Sequence, residues 1–411
     1  MKKDVIIIGG GAAGICTAIC VKRKNPKLSV LVLEKLPRVG KKLAITGNGR
    51  CNITNKDISL RHYHGRDTEF CRYALEKYGR HTAEEFFYRI GVPFIFEGDK
   101  AYPASLQAAS VVDSLRFECE KLGIEVLTDC AVTDITFKKN GYETVTDSGV
   151  FCASAVVAAA GLLSGGDRLG CDGGILRILK TKGYKTVGMR PAIVQLKTPA
   201  DTVRQLKGIK VNAAVTLKSD GKAVRREYGE VLFCDYGLSG PPILQISGEI
   251  SENKKYTVSL DLLPETDFNG LCGILSERAL LLKNRTLDEF FTGMLNKRLG
   301  QVILKICGCK LSGSAASLNV GVLKTVAGVI KNMCFEVTGN TGFINSQVTA
   351  GGLDTSQFSP KSMMSQKDKG LFAVGEILDI NGDCGGFNLQ WAWSSAMCAA
   401  DGIISYIGDL Q

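Results

Sequence analysis

The opening stretch DVIIIGGGAAGICTAICVKRKNPKLSVLVLE, residues 4–34, leaves little freedom in how this chain begins to fold. Val5 to Ile8 is a β-branched run of the kind buried on both faces of a parallel sheet. It enters Gly9-Gly10-Gly11-Ala12-Ala13-Gly14, and a helical stretch then extends to about Lys24. Leu28 to Leu33 is a second buried-strand run, ending at Glu34, twenty residues after Gly14. Parallel neighbours need a crossover, usually a helix, so the segment reads strand, turn, helix, strand. Within its G-x-G-x-x-G spacing, Gly9 permits the turn, Gly11 lets the backbone approach a pyrophosphate, and Gly14 lets the helix pack on the strand. Ala13 sits in the same turn. The helix N-terminus offers free N–H groups and a partial positive charge to phosphates, and Glu34 is placed to accept from ribose hydroxyls. A dinucleotide site follows.

At 411 residues the chain exceeds one ordinary core, so two or three domains are expected. Its 47 glycines against 10 prolines imply many tight turns and close backbone approaches, and an apolar content of 45% excludes disorder. The net charge of +10 is concentrated only locally, at KRKNPK (22–27) and around Lys35, Arg38, Lys41 and Lys42. No aromatic-basic interleaving accompanies it, so no nucleic-acid partner is expected and a small-molecule substrate is. The N-terminus imitates a signal peptide, but the glycine triplet breaks the apolar core such a peptide needs, and no other stretch approaches 18 apolar residues. A cytoplasmic protein with no membrane partner is the expectation. The 15 cysteines, odd in number and irregularly spaced, read as reduced thiols. Neither close pair, Cys16/Cys20 or Cys307/Cys309, has a second pair at zinc spacing, so no metal is expected.

Residues 69–90 and 105–122 read as amphipathic helices, with a hairpin in PFIFEGDKAYPAS between them. Residues 124–160 alternate short β-rich runs with turns and end in VVAAAG, a buried strand stopped by Gly161, which returns the chain to the parallel sheet beside the cofactor. From about 190 to 340 the texture changes. Strands at 192–197, 209–217 and 255–262 mix with helical stretches near 239–250, 266–282 and 321–332, as in an inserted substrate or cap region.

The last segment returns to strand, loop and helix. Gly370 to Val374 is a short strand followed by Gly375-Glu376, and a second Gly-rich loop, Gly382 to Gly386, precedes a helix starting near Asn388. Such an arrangement puts a carboxylate on a ribityl chain and a helix N-terminus at a flavin pyrimidine, where it stabilises negative charge. The first fingerprint serves NAD and FAD equally; this closing element, 360 residues later, favours FAD. No second G-x-G-x-x-G follows a strand, so NAD(P)H, if it is the electron donor, binds transiently.

Residues 40–55, GKKLAITGNGRCNITN, leave three readings of Cys51: redox thiol, metal ligand, or a small residue packed beside something larger. A flavin disulfide route needs a second cysteine about four residues on, and Asn55 and Lys56 stand there. Cys51 therefore reads as a small buried neighbour in a loop whose Gly47 and Gly49 let the backbone approach the flavin, although Arg50 beside it can favour a thiolate.

Four stretches, VIIIGGGAAG (5–14), GKKLAITGNGRCNITN (40–55), GEVLFCDYGLSGPPILQIS (229–247) and VTAGGLD with GEILDINGDCGGFNLQWAWSS (348–354 and 375–395), carry a resemblance to the bacterial BaiN-like flavoprotein family, which includes aminoacetone oxidases and bile-acid 3-dehydro-Δ4,6-reductases. The resemblance implies an α/β fold: a discontinuous, glutathione-reductase-like FAD domain from residues 1–190 and 348–411, with a β-rich substrate domain (191–262 and 334–347) and a small helical domain (263–333) inserted. It implies FAD contacts at Gly11 to Gly14, Glu34, Lys35, Lys42, Arg50, Cys51, Asn52, Val132 by its backbone, Gly375, Glu376, Asn388 and Leu389. Where the family carries Thr-His, this chain has Cys234-Asp235 before Tyr236. Proton-donor candidates are Tyr236, Asp235 and Tyr102, since His62, His64 and His81 lie in polar segments. The resulting expectation is NAD(P)H-driven reduction of an activated C=C bond in an apolar enone. An amine oxidase using oxygen and an RNA-binding flavin scaffold are the alternatives.

Overall fold

The computed structural model describes residues 2–139, 141–251 and 254–410. The chain divides into two compact units, Met1–Ala192 with Phe343–Gln411, and Ile193–Gly342.

The first unit is built on a sheet whose parallel strands run in the order Glu125–Leu127, Val30–Leu33, Lys2–Ile8, Gly149–Ala158 and Leu371–Ala373. Register is set by burial: Val5 lies opposite Val30 and Ala155, and the run from Val5 to Ile8 is almost fully enclosed. Gly149–Ala158 serves two partners along one edge. Its first half pairs antiparallel with Gly141–Thr146, which continues to Val132–Lys138, and Val156–Ala158 pairs with Leu371–Ala373. Both ends of the chain thus meet in one sheet.

Helix Ala12–Lys24 packs on helix Phe387–Gly408. The latter is apolar nearly all round and accordingly interior, with Trp391 and Trp393 fully buried. Trp393 Nε1 donates to the Ile53 carbonyl at 3.0 Å and Trp391 Nε1 to that of Gly375 at 3.1 Å, which satisfies both indoles. Among the described residues, no helix is long and apolar enough to cross a membrane.

Two expected elements are divided. The stretch 69–90 breaks at Gly79 into Arg72–Lys77 and Arg80–Tyr88, because Gly79 is extended rather than helical. The strand expected over 192–197 becomes Thr186–Ala192 and Leu196–Lys197, interrupted at Ile193, whose φ of +51° leaves the β region.

The second unit contains a seven-stranded antiparallel sheet in the order Met333–Glu336, Tyr256–Asp261, Lys210–Ser219, Lys222–Phe233, Gly237–Ser239, Leu196–Lys197 and Gly339–Asn340. Helices Phe268–Leu281, Lys297–Ile306 and Val320–Lys331 share one hydrophobic core with these strands. Residues 263–333 are therefore part of one compact unit with the strands rather than a separate helical body. The long strand Lys222–Phe233 had a signal in the sequence: Asp220 and Gly221, both at positive φ, form the two-residue turn that joins it to its partner. Its charged, alternating-poor face hid it. Helix Lys297–Ile306 was announced only by Asn296, whose side chain caps Arg298 and Leu299.

Candidate cofactor and active site

Gly9, Glu34, Gly161 and Gly375-Glu376 all follow the carboxyl ends of parallel strands, the edge where open α/β sheets bind ligands. At Gly14 a Cβ would lie 2.0 Å from the Gly9 carbonyl oxygen, so the helix presses directly on the turn. At Gly11 a Cβ would meet nothing within 4 Å, leaving an open cradle. The helix that starts there has no side-chain cap and no acid in its first turn. Its leading N–H groups are thus directed at an anion-binding space.

Glu34 stands where the adenosine ribose of a dinucleotide would lie. Its Oε2 accepts from Gly10 N–H at 2.8 Å and its Oε1 from Leu36 N–H at 2.9 Å, which fixes the carboxylate and leaves lone pairs for hydroxyls. The Cys130 N–H donates to the Glu34 carbonyl at 3.0 Å, bringing the segment before Val132 to the same corner. Lys35 pairs instead with Asp172 at 2.8 Å.

Two predicted residues, Lys42 and Gly161, converge on Glu376, and Thr349, which the sequence did not single out, joins them. Lys42 Nζ lies 2.7 Å from its Oε2, Thr349 N–H donates to its Oε1 at 2.9 Å, and a Cβ at Gly161 would come within 3.3 Å of it. Burial works against the charge on Lys42, but the Glu376 carboxylate, aided by the Cys171 thiol nearby, more than offsets this and holds the ammonium above its usual range. Gly375 completes the junction, since a Cβ there would lie 2.9 Å from the Ala13 Cβ.

The loop 40–55 is clamped to the closing segment. Thr54 Oγ1 donates to Gln390 Oε1 at 2.5 Å, Asn55 Nδ2 to the Gly385 carbonyl at 2.9 Å, and Gly386 lies against the Thr54 carbonyl. Asn52 Oδ1 faces the same glycine and is a buried acceptor without a partner, a polar atom that a bound group satisfies. Asn388 braces the Gly-rich loop, accepting from Gly382 N–H at 2.7 Å and donating to the Gly382 carbonyl at 2.8 Å. Its side chain supports the loop rather than reaching outward; Leu389 packs against the core.

Cys51 is fully buried at φ +58°, and burial pushes its thiol up to about 12. A neutral, enclosed thiol is neither nucleophile nor redox partner at neutral pH. In Cys51→Ala the flavin is expected to be reduced, by whichever donor reduces the parent, within about twofold of the parent rate, with a loss of roughly 1 kcal/mol of stability. Anaerobic absorbance at the flavin band and thermal unfolding measure the two effects.

Other sequence candidates are placed differently. Arg50 pairs with Glu97 and stacks over the Tyr102 ring at 4.4 Å, so its guanidinium is engaged by side chains rather than held ready for the cofactor. Tyr102 is buried, which raises its phenol and keeps it neutral, with Arg50 opposing. Asp235 is exposed in the second unit and paired with Lys207 at 2.8 Å, which holds its carboxyl low. Burial and the Cys234 thiol raise the neighbouring Tyr236.

A cluster that sequence reasoning passed over lies in the first unit. Asp383, itself buried, holds His64 Nε2 at 2.8 Å with Oδ1 and His62 Nδ1 at 3.1 Å with Oδ2. The short ladder of Tyr63–His64 with Asn381–Gly382 brings them together. The alternation of His62 and His64 was the available signal, since residues two apart in an extended segment share a face. Among the described residues, no group of His, Cys, Asp and Glu is arranged to hold a metal ion.

The open cradle at Gly11, the uncapped helix, the orphaned Asn52 oxygen and the fixed Glu34 carboxylate fit FAD. When bound, it supplies a two-electron hydride carrier. A family model described as HI0933-like protein Rossmann domain matches residues 3–402. The chain is 33% identical over 397 residues to the 3-dehydro-bile acid delta(4,6)-reductase of Clostridium scindens, covering 96% of this chain and 97% of that protein. It is 29% identical over 408 residues to the ribosomal RNA dihydrouridine synthase of Escherichia coli, covering 98% of each. Among solved structures, a quinol-fumarate reductase with menaquinol aligns at a TM-score of 0.54 and 14% identity, over 100% of this chain and 72% of that one. The 3-ketosteroid delta1-dehydrogenase of Sterolibacterium denitrificans aligns at 0.52 and 13% identity, over 98% and 99%, a likeness of fold. Fingerprint, closing Gly-Glu element and matched length together assign the chain to the HI0933-like Rossmann family of flavin-dependent oxidoreductases.

Proposed function

We propose that this protein is an FAD-dependent reductase that takes hydride from NAD(P)H and delivers it to a ring C=C bond conjugated to a carbonyl, in an apolar enone such as a 3-oxo bile-acid or steroid intermediate. The supporting observation is that relatives with unlike substrates share one bond change. One is named for reducing a 3-dehydro-bile acid and another for making dihydrouridine. In each, the double bond saturated is conjugated to a ring carbonyl, so hydride adds to one carbon and a proton to its neighbour.

The chain's own residues support such chemistry. Gly11 to Gly14 and Glu34 would hold the dinucleotide, and Glu376, fixed by Lys42 and Thr349, would orient the ribityl end. The helix Phe387–Gly408 begins at Gly386 without a side-chain cap or an acid in its first turn, so its N-terminus favours negative charge nearby. Cys51, neutral and enclosed, offers no dithiol route.

A second reading, reduction of uridine in ribosomal RNA, is supported by the synthases of Escherichia coli and Haemophilus influenzae, 29% and 28% identical, and by the net charge of +10. Anaerobic mixing of the yellow protein with NADH or NADPH separates the possibilities. The expected result is bleaching, then return of colour with a 3-oxo-Δ4,6 bile acid and not with unmodified ribosomal RNA. Colour returned by RNA, with dihydrouridine formed, would establish the second reading. Peroxide released from aminoacetone without NAD(P)H consumption would replace both.

A further inference from the structure

The cluster of His62, Asp383 and His64 is used neither in holding the dinucleotide nor in the chemistry given so far. Its carboxylate is almost enclosed, with His64 Nε2 at Oδ1 and His62 Nδ1 at Oδ2. With Asp383 accepting, the proton of neutral His64 sits on Nε2, and Nδ1 is the ring nitrogen on the other side. At His62, Nδ1 meets Asp383 at 3.1 Å, while Nε2 meets both the Arg61 Nε–H at 3.1 Å and the Asp57 carboxylate at 3.3 Å, so both ring nitrogens are engaged. The His62 ring is also stacked on Phe387 at 4.5 Å. Asp383 is thus held from one side by a ring that cannot easily turn.

His64 is different in its surroundings. It lines a cavity of ≈ 390 Å³ together with Arg66, Thr68, Arg190, Asp379 and Asn381. The cavity holds charges of both signs. Arg66 also reaches Asp354 at 3.1 Å, and its N–H donates to Asp379 Oδ2 at 2.9 Å, while burial raises the Asp379 carboxyl despite Arg66 and Arg190. Asp57 and Arg61 lie beyond, on the His62 side. One edge of the cavity, Asn381, belongs to the strand that enters the Gly-rich loop of the cofactor site.

We propose that His64 is the general acid of the reduction and that Asp383, steadied by His62, is its positioning residue. The proposal rests on the reading of this protein as a reductase of a conjugated C=C bond. The bound cofactor would supply the hydride that forms a C–H bond at the β-carbon, and the C=C pair would move to the carbonyl oxygen as an enolate. Protonated His64 then gives its proton to the α-carbon, forming the second C–H bond and leaving neutral imidazole, which regains a proton from solvent in the open cavity. On the proposed reading, NAD(P)H would be the two-electron reductant that balances each turnover. Arg66 and Arg190 line the same cavity and would favour an enolate oxygen placed against them, and Asp383 would keep the imidazole in one tautomer and stabilise its cation, as a carboxylate does in a hydrolytic triad.

The test uses FAD-loaded H64Q, H64A and D383N, with H81Q as control because His81 is exposed and lies on the helix Arg80–Tyr88, away from the Tyr63–His64 strand. Each holoenzyme is reduced with dithionite and mixed anaerobically with a 3-oxo-Δ4,6 bile acid or with ribosomal RNA. In H64Q, reoxidation is expected to slow on the order of 10²–10⁴-fold, with the FAD spectrum retained, the pH dependence flattened and the solvent isotope effect lost. Free imidazole restores part of the rate in H64A, D383N shows a smaller loss, and H81Q none. A second readout needs no turnover. With only three histidines in the chain, ¹⁵N spectra of histidine-labelled protein are assignable by substitution, and His64 is expected as the Nε2–H tautomer in the parent and as a mixture in D383N. Unchanged reoxidation in H64Q, or an unchanged tautomer in D383N, overturns the assignment. Failure of the parent to reoxidise with either probe, while the tautomer responds as expected, overturns the reductase reading itself and with it the acid role.

Discussion

Gly14→Ala is expected to bind FAD roughly 10–100-fold more weakly than the parent and to melt at lower temperature, the loss corresponding to about 1–3 kcal/mol of overpacking. The added Cβ would stand 2.0 Å from the Gly9 carbonyl oxygen and 3.2 Å from Ile7 Cγ2. Gly9 cannot retreat. Its N–H is tied to the Leu33 carbonyl at 2.8 Å, and it lies against the backbone of Ala159 and Ala160. The helix must therefore lift from the strand, which withdraws its N–H groups from the phosphate position. Gly11→Ala provides the contrast. Its Cβ would meet nothing within 4 Å and its φ of −83° suits alanine, so the apo-protein should unfold as the parent does while FAD affinity falls. Flavin fluorescence titration and thermal unfolding of both variants read the two roles separately. Parent-like FAD affinity in Gly11→Ala would falsify the placement of the pyrophosphate at this turn.

Glu376→Gln is the second substitution with a large expected effect. Lys42 and Glu376 are only 29% and 20% exposed, so removing the carboxylate leaves an ammonium in a partly dry site. Breaking a fully buried pair costs about 3–5 kcal/mol; partial solvent access reduces this to roughly 1–3 kcal/mol. FAD content should fall as well, because Thr349 and the turn at Gly161 lose the group that orders them. The pH dependence has a defined sign. The Lys42 ammonium is held above its ordinary value, so its contribution is present in full below about pH 10.4 and is lost as pH rises through the raised folded value. Chemical unfolding at pH 8 and above pH 11 should show the parent losing this increment and Glu376→Gln having none to lose. An equal loss in both would show that the pair does not contribute.

Local patterns carried a good part of the fold. The β-branched runs, the glycine spacing and the acid after the second strand are signals within thirty or so residues, and Lys2–Ile8, Ala12–Lys24 and Val30–Leu33 follow them closely. The hairpin Phe94–Glu97 with Lys100–Pro103 was equally local. Lys222–Phe233 was missed because its charged residues break the apolar alternation, although the Asp220-Gly221 turn marked where it begins. The seven-stranded sheet and the helices of the second unit looked like two textures, and one shared core made them a single body.

By itself the sequence determined the strand-turn-helix at Gly9 to Gly14, the glycine-bearing loop 40–55 and the Gly375-Glu376 element after the last parallel strand, because each depends on backbone geometry and on residues near one another in the chain. Only the tertiary structure decided which side chains meet. Lys42 and Glu376 are 334 positions apart, and His62 and Asp383 are 321 apart, distances over which no spacing rule operates. Their pairing depends on Gly149–Ala158 accepting Leu371–Ala373 along its second half, and on the ladder of Tyr63–His64 with Asn381–Gly382. Packing between segments also gave Arg50 to Glu97 and Tyr102, made Asn388 a loop brace, and enclosed Cys51 until its thiol became inert. Side-chain roles follow from desolvation and partner geometry, and both exist only once distant segments have packed.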